Sequence, residues 1–185
     1  MKPTLTPAAP EEILQNIWQQ LTRATVDRHH EWRTPVLATV GLDGTPQART
    51  VVLRHATAQE PTLTIFTDRR SPKVTELLRQ PAATLVFWSK RLNWQCRISM
   101  MVNVVTEGAA VNAAWQRIAT SAGAKDFLAP GAPGAPKNRN AGTQADQHYL
   151  ALLVGRPTSI DWLQLGRPMH RRIRFYQNAW QELEA

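Results

Sequence analysis

Apolar residues first recur at helical spacing between residues 10 and 29. Ile13, Leu14, Ile17, Trp18 and Leu21 fall on one stripe and predict an amphipathic helix, with Trp18 as a core anchor. Pro10 suits its first turn, and Glu11 and Glu12 suit the positive end of the helix dipole. The period then changes to two. Residues 34–40 read as a strand, Asp43-Gly44 as a hairpin turn, residues 48–54 as the return strand and residues 61–67 as a third strand. Ser71-Pro72 starts a short helix whose buried side is Val74, Leu77 and Leu78. Residues 82–88 and 94–105 are β-branched and aromatic runs, so they predict a fourth and a fifth strand. Residues 109–119, carrying Trp115, predict another helix. Residues 149–154, 159–165, 173–176 and 179–183 predict closing strands. So many strands with two or three helices predict a mainly β protein, an antiparallel barrel with flanking helices.

Two stretches lack periodicity. Residues 1–9 are expected to be a loose arm. Residues 121–147 are expected to be a flexible loop, because 129–142 is a run rich in Pro, Gly and Ala. Too little chain follows that run to build a second core, so residues 1–185 are read as one domain.

Composition narrows the function classes. Hydrophobic residues make up 43%, enough for a packed core, and no apolar run approaches the length needed to span a bilayer. Residues 1–5 lack the apolar segment of a signal peptide, so a cytoplasmic, non-membrane protein is expected. Cys96 is the only cysteine, which excludes an internal disulfide and a multi-cysteine metal site. The adjacent histidines of His29-His30-Glu31 point to different helix faces, so no metal is expected. The net charge of +8 admits nucleic-acid binding, which we rank below a small anionic ligand. The basic residues are scattered, and the dense run His170-Arg171-Arg172-Ile173-Arg174 alternates sides in a strand.

Candidate chemistry gathers in Arg49-Thr50-Val51-Val52-Leu53-Arg54, Phe66-Thr67 and Ser71-Pro72-Lys73. Cations and hydroxyls at strand ends and a helix start suit a phosphate-bearing ligand. The plain alternative is a solvated strand edge with a helix cap. Gln95 and Arg97 share one strand face, either toward a cavity or toward solvent. Trp162 offers a ring for stacking or a core residue. His170 is a proton carrier or a structural hydrogen-bond partner. No phosphate loop of the Walker or dinucleotide type is present.

Taken together, these segments resemble the FMN-binding split barrels of the pyridoxamine 5′-phosphate oxidase family. The family's Arg-x-Val-Leu-Leu-Lys is matched at residues 49–54, and its aromatic-Thr followed by Ser-Arg-Lys at Phe66-Thr67 and Ser71-Pro72-Lys73. Its later Gln is matched at Gln95, 22 positions after Lys73, and its C-terminal Trp, His and Arg at Trp162, His170 and Arg172. The resemblance implies a split β-barrel homodimer with FMN in the interface. It implies that Arg49, Thr67, Ser71 and Lys73 hold the FMN phosphate, that the backbone of Val51, Val52 and Leu53 runs along the flavin, and that Gln95 hydrogen-bonds it. Phe66 belongs to the same cofactor motif. Trp162 and Arg172 would reach the flavin from the second subunit, while His170 and Arg54 face a small-molecule substrate.

The implied activity is hydride transfer from that substrate to the flavin, with a non-catalytic flavin carrier or sensor as the alternative. Departures fall on the substrate side. Pro168 stands where the family has a substrate-binding arginine, Arg171 replaces its Asp, Arg54 its Lys and Pro72 a phosphate-binding Arg. These place the chain in a divergent branch and count against pyridoxamine phosphate oxidation itself.

Overall fold

The computed structural model describes residues 8–136, 147–167, 169–177 and 179–185. Most of the expected N-terminal arm, residues 137–146 of the expected loop, and Pro168 therefore lie outside the described residues. Helix α1, Pro10–Val26, buries Ile13, Ile17, Leu21 and Ala24 and packs on strand β3, Leu53–Thr57. It stops three residues before the expected end because the Asp27 carboxylate accepts the His29 N–H at 2.9 Å, which turns the chain. Trp18 is only partly buried and packs on the rim of the core. Ala8 is tied to the barrel, because its carbonyl accepts from Arg171 at 2.6 Å.

Among the described residues, nine strands form one antiparallel sheet that curls into a split barrel. Besides β3, they are β1 Val36–Val40, β2 Pro46–Thr50, β4 Thr62–Asp68, β5 Ala82–Ser89, β6 Trp94–Val105, β7 Leu150–Gln164, β8 Arg171–Phe175 and β9 Trp180–Leu183. Helix α2, Pro72–Arg79, lies against β1 and β6, and α3, Ala109–Ile118, lies against β7. The strand order is β2-β1-β5-β6-β7-β4-β3, with β8 also on β7 and β9 on β8.

The expected return strand 48–54 is two strands. The chain leaves the β1 ladder after Thr50 and joins β4 at Leu53, so Val51-Val52 bridge two parts of the barrel. Conversely, the two strands expected at 149–154 and 159–165 are one. Gly155 and Pro157 look like a break, yet β6 pairs with β7 on both sides of them, and β7 absorbs the irregularity as a bulge at Thr158, opposite Ser99 and Met100. Gly155 is required there, since a Cβ would sit 2.2 Å from the Met100 sulfur. β4 pairs with residues 150–155 of β7 and β8 with residues 160–164. At the β1–β2 turn, Gly44 takes φ +82°, and the Asp43 carboxylate accepts from the Thr45 N–H at 3.0 Å.

Alternate residues of β1, β5, β6 and β7 point into the main core. Its buried aromatics Trp32, Phe87 and Trp162, with the partly buried Trp94 packed between Trp32 and Trp162, form a chain with ring centroids 5.3 to 6.4 Å apart. A second cluster joins Phe66, Val111, Phe127, Leu150 and Leu152 beneath α3. Phe127 belongs to a 3-10 turn, Ala122–Phe127, inside the stretch expected to be a flexible loop. Trp32 is fully buried. We predict that Trp32→Ala costs about 3–5 kcal/mol, measured by urea unfolding.

Candidate functional site

β4 ends at Thr67-Asp68, and a short turn leads into α2. This brings the Thr67 and Ser71 hydroxyls to 3.2 Å. The Lys73 ammonium donates to both, at 3.2 and 3.1 Å. Ser71 occupies the N-cap position of α2, yet its side chain makes no capping bond; the hydroxyl is aimed at Lys73 instead. Burial pushes the Lys73 pKa down, and the neighbouring Arg49 charge adds to the effect against a smaller pull from Glu76 and Asp68. No ion pair of Lys73 occurs among the described residues. A partly buried ammonium facing only hydroxyls is short of one negative partner.

Arg49 borders this cradle but is already held. Its guanidinium pairs with Glu76 of α2 at 2.9 Å and donates to Thr39, which in turn donates to Glu76 at 2.6 Å. Thr39 and Glu76 are both buried, and neither was legible as a site residue. The available signal was the helical spacing of Lys73 and Glu76, three apart. The apolar stripe expected for α2 is corrected accordingly, because Leu78 is 66% exposed while Glu76 is buried. The Arg49–Glu76 link places the carboxylate, rather than a second leucine, under the helix.

A second arginine fixes the ground beside the cradle. Arg70 grips Asp68 through Nε and Nη2, lies 3.4 Å from the Tyr149 ring centre, and donates to the carbonyls of Ala129, Pro130 and Gly131. The start of the Pro/Gly-rich loop is thereby anchored to the turn bearing Ser71.

The other expected residues divide into three groups. Val51 and Leu53 are buried side chains, and the Val51 N–H donates to Pro35 at 2.9 Å, leaving Val52 half-exposed at the ladder break. Phe66 lies on the opposite face of β4 from Thr67 and joins the second cluster, so its ring is not part of the cradle. Arg54 sits 5.7 Å from that ring, with a buried Nε that has no partner. Burial and the Arg33 charge lower its pKa, while Asp126 opposes them.

The third group is at the far end of β7. Gln95 and Arg172 flank Leu163 on the outer sheet face. The expectation that Trp162 stacks on a ligand ring is corrected: it is 1% exposed, inside the core, edge-on to Trp94 at 5.3 Å. Its alternation with Asp161 turns it inward. His170 is exposed, and its Nδ1 accepts from the Gly166 N–H at 3.2 Å. Arg171, the departure from the family's Asp, pairs with Glu182 at 3.0 Å and binds Ala8, which is a structural role.

Thr67 pairs with Ala151 and Arg172 with Leu163, so the cradle and the Gln95–Arg172 group lie at opposite ends of β7. Asp161, which the sequence reading missed, organises the second group. It receives Arg97 at 2.8 Å, Arg172 at 3.0 Å and Arg174 at 2.8 Å.

With the geometry set out, comparison with known proteins is direct. The model of the FMN-binding domain of pyridoxamine 5′-phosphate oxidase matches residues 15–106, about half of the chain. The chain belongs to this family. The pyridoxine/pyridoxamine 5′-phosphate oxidase of Thermosynechococcus vestitus is 38% identical over 98 residues, 53% of this chain and 46% of that protein. The matches to the first curated relatives thus span less than half of their length. A pyridoxamine 5′-phosphate oxidase-related FMN-binding protein from Nostoc punctiforme superposes with a TM-score of 0.75 at 23% identity, covering 97% of this chain and 100% of its own. PhzG from Burkholderia lata, solved with tetrahydrophenazine-1-carboxylic acid, superposes at 0.73 with 18% identity, covering 100% and 98%. These two show the split-barrel fold. No described helix is long and apolar enough to cross a membrane, and no metal-binding cluster occurs among the described residues.

Burial alone would raise the Asp161 pKa, but hydrogen bonds from Arg172, Arg174 and Arg97 outweigh it and bring the pKa to about 2. A folded pKa below the unfolded one contributes stability above the unfolded value and loses it as pH falls. We therefore expect about 2 kcal/mol of stability to disappear between roughly pH 4 and pH 2. Urea melts across that range should show this acid limb, and Asp161→Asn should lack that part of it.

Proposed function

We propose that this chain is an FMN-binding oxidoreductase acting as a homodimer on a small molecule. The observation that carries the reading is the Lys73 ammonium, partly buried, paired with no carboxylate among the described residues and donating only to the Thr67 and Ser71 hydroxyls. That donor set fits a phosphate monoester, whose oxygens would accept from the ammonium and both hydroxyls. Arg49 would add charge from a guanidinium that Glu76 and Thr39 hold still. The backbone at Val51-Val52-Leu53 would lie along the flavin where the ladder is interrupted.

Distance supports the homodimer. Thr67 and Arg172 are twelve positions apart along β7 by their partners Ala151 and Leu163, up to roughly 40 Å of extended chain. One cofactor would meet both Lys73 and the Gln95–Arg172 group only if the second group came from another copy. Trp162 would then support this contact from inside the core. Bound FMN would supply the redox chemistry, accepting a hydride from the substrate. The protein's own residues would orient it. Arg54, with its unpaired Nε, and His170 would face the substrate. Buried Cys96, whose thiol is pushed well above its ordinary pKa, suits a reducing cytoplasm.

The second reading is a flavin carrier or sensor without turnover. It is favoured by Pro168 and Arg171 in place of the family's substrate-side Arg and Asp.

The test is a titration of the purified protein with FMN, followed by absorbance and by mass in solution. We expect a bound flavin spectrum, a dimer mass, and weakening of at least about 100-fold in Lys73→Met, which removes charge-assisted hydrogen bonds. The ligand-free variant should be no less stable than wild type, because the desolvated charge is gone. A protein that stays colourless with FMN would refute the proposal. Turnover of pyridoxamine or pyridoxine 5′-phosphate would place the activity with the true oxidases; flavin binding without reduction by any amine or alcohol donor would favour the carrier.

A further inference from the structure

Three guanidiniums converge on the one carboxylate of Asp161. Arg97 stands directly across on β6 and Arg174 directly across on β8, while Arg172 reaches diagonally with Nε and Nη2, each at 3.0 Å. Arg174 likewise uses Nε at 3.2 Å and Nη2 at 2.8 Å. Asp161 is only 5% exposed, because the arginines roof it over. The cluster carries three positive charges against one negative charge. That exceeds what one buried carboxylate needs, and the Arg97 Nε remains buried without a partner.

The adjoining row of the same sheet face is made of hydroxyls. Thr84, Ser99 and Ser159 lie side by side across β5, β6 and β7, two residues along from the Arg97–Asp161–Arg174 row. Tyr176 closes the far side. The resulting cavity, about 320 Å³, is lined by guanidiniums and hydroxyls, with Asp161 its only acidic residue. Its donors outnumber its acceptors, and its net charge is positive. Such a lining repels a cation and matches an oxyanion with several acceptor oxygens.

We propose that Arg97 and Arg174, fastened to Asp161 beside Arg172, bind the acidic group, carboxylate or phosphate, of the small molecule on which this protein acts. The inference rests on the reading of Arg172 as a flavin contact, since the shared carboxylate then sets Arg97 and Arg174 next to the cofactor. Asp161 is the positioning residue that keeps three like charges together. The substrate class is thereby narrowed to acids.

The test uses the FMN-loaded full chain, titrated separately with benzoate and with inorganic phosphate. Binding is read by the flavin difference spectrum and by calorimetry. We expect saturable binding of at least one probe, weakened about tenfold or more in R97Q and in R174Q, with FMN affinity close to wild type. R174K, which keeps the charge but not the planar fork, should fall between. A response to benzoate alone identifies a carboxylate as the recognised group, and a response to phosphate alone identifies a phosphate.

The proposal is overturned if neither probe binds the wild-type flavoprotein, or if both variants bind the probes as wild type does. It is also overturned if the variants lose FMN together with the probe, because the cluster then serves the cofactor. Should the wild-type chain take up no FMN, the flavin reading fails by itself. Calorimetry of phosphate on ligand-free K73M, with and without R174Q, then decides the arginine site: binding that R174Q abolishes sustains it, and no binding refutes it.

Discussion

The pairing of β6 with β7 is the constraint on which the rest of the molecule depends. It runs from Trp94 opposite Gln164 to Val105 opposite Leu152. Both strands carry further partners: β5 joins β6 on its other edge, while β4 and β8 share the other edge of β7 end to end. Antiparallel ladders of this length fix register wherever one face is buried, because a one-residue slip turns every side chain over. The inward face holds Cys96, Ile98, Ile160 and Trp162, and the outward face holds Arg97, Ser99, Ser159 and Asp161. A slip would bury charge and expose the aromatic core. The same two strands also separate the hydroxyl–lysine cradle from the arginine cluster.

The two cationic centres are built on opposite electrostatic terms. Arg49 is neutralised by a buried glutamate and serves as a fixed wall, whereas Lys73 is desolvated and has no ion-pair partner among the described residues. Desolvation without compensation is unfavourable in the ligand-free chain, and the unfavourable energy is recovered when an anion arrives. In the arginine cluster the carboxylate is over-compensated instead. Both centres are short of negative charge, and together they hold three of the chain's eight net positive charges.

Elements defined by local period were legible in the sequence: α1, α3, β5 and β6 lie within a few residues of their expected bounds. The cradle was legible too, because Thr67, Ser71 and Lys73 are joined by one turn. Features set by distant strands were not. The split at Val51-Val52 comes from two ladders competing for one segment, and β7 stays whole across Gly155 and Pro157 because a bulge at its own Thr158 keeps it paired with β6. Asp161 gave no signal, since its three arginines come from strands that sequence spacing does not align. Trp162 was ambiguous between ligand and core, and its phase relative to Asp161 decides for the core. Arg171, a departure from the family pattern, proves to be a strut between Ala8 and Glu182.

The row of aromatic rings through the barrel also has an optical side. Trp32, Trp94 and Trp162 are spaced within 5.3 to 6.4 Å of their neighbours, and none of their indole N–H groups has a partner. Rings this close share excitation, and indoles shielded from water emit at the blue end of their range. The barrel thus holds three of the chain's seven tryptophans in one row, and the Trp94–Trp162 pair stays in contact only while β6 and β7 remain joined.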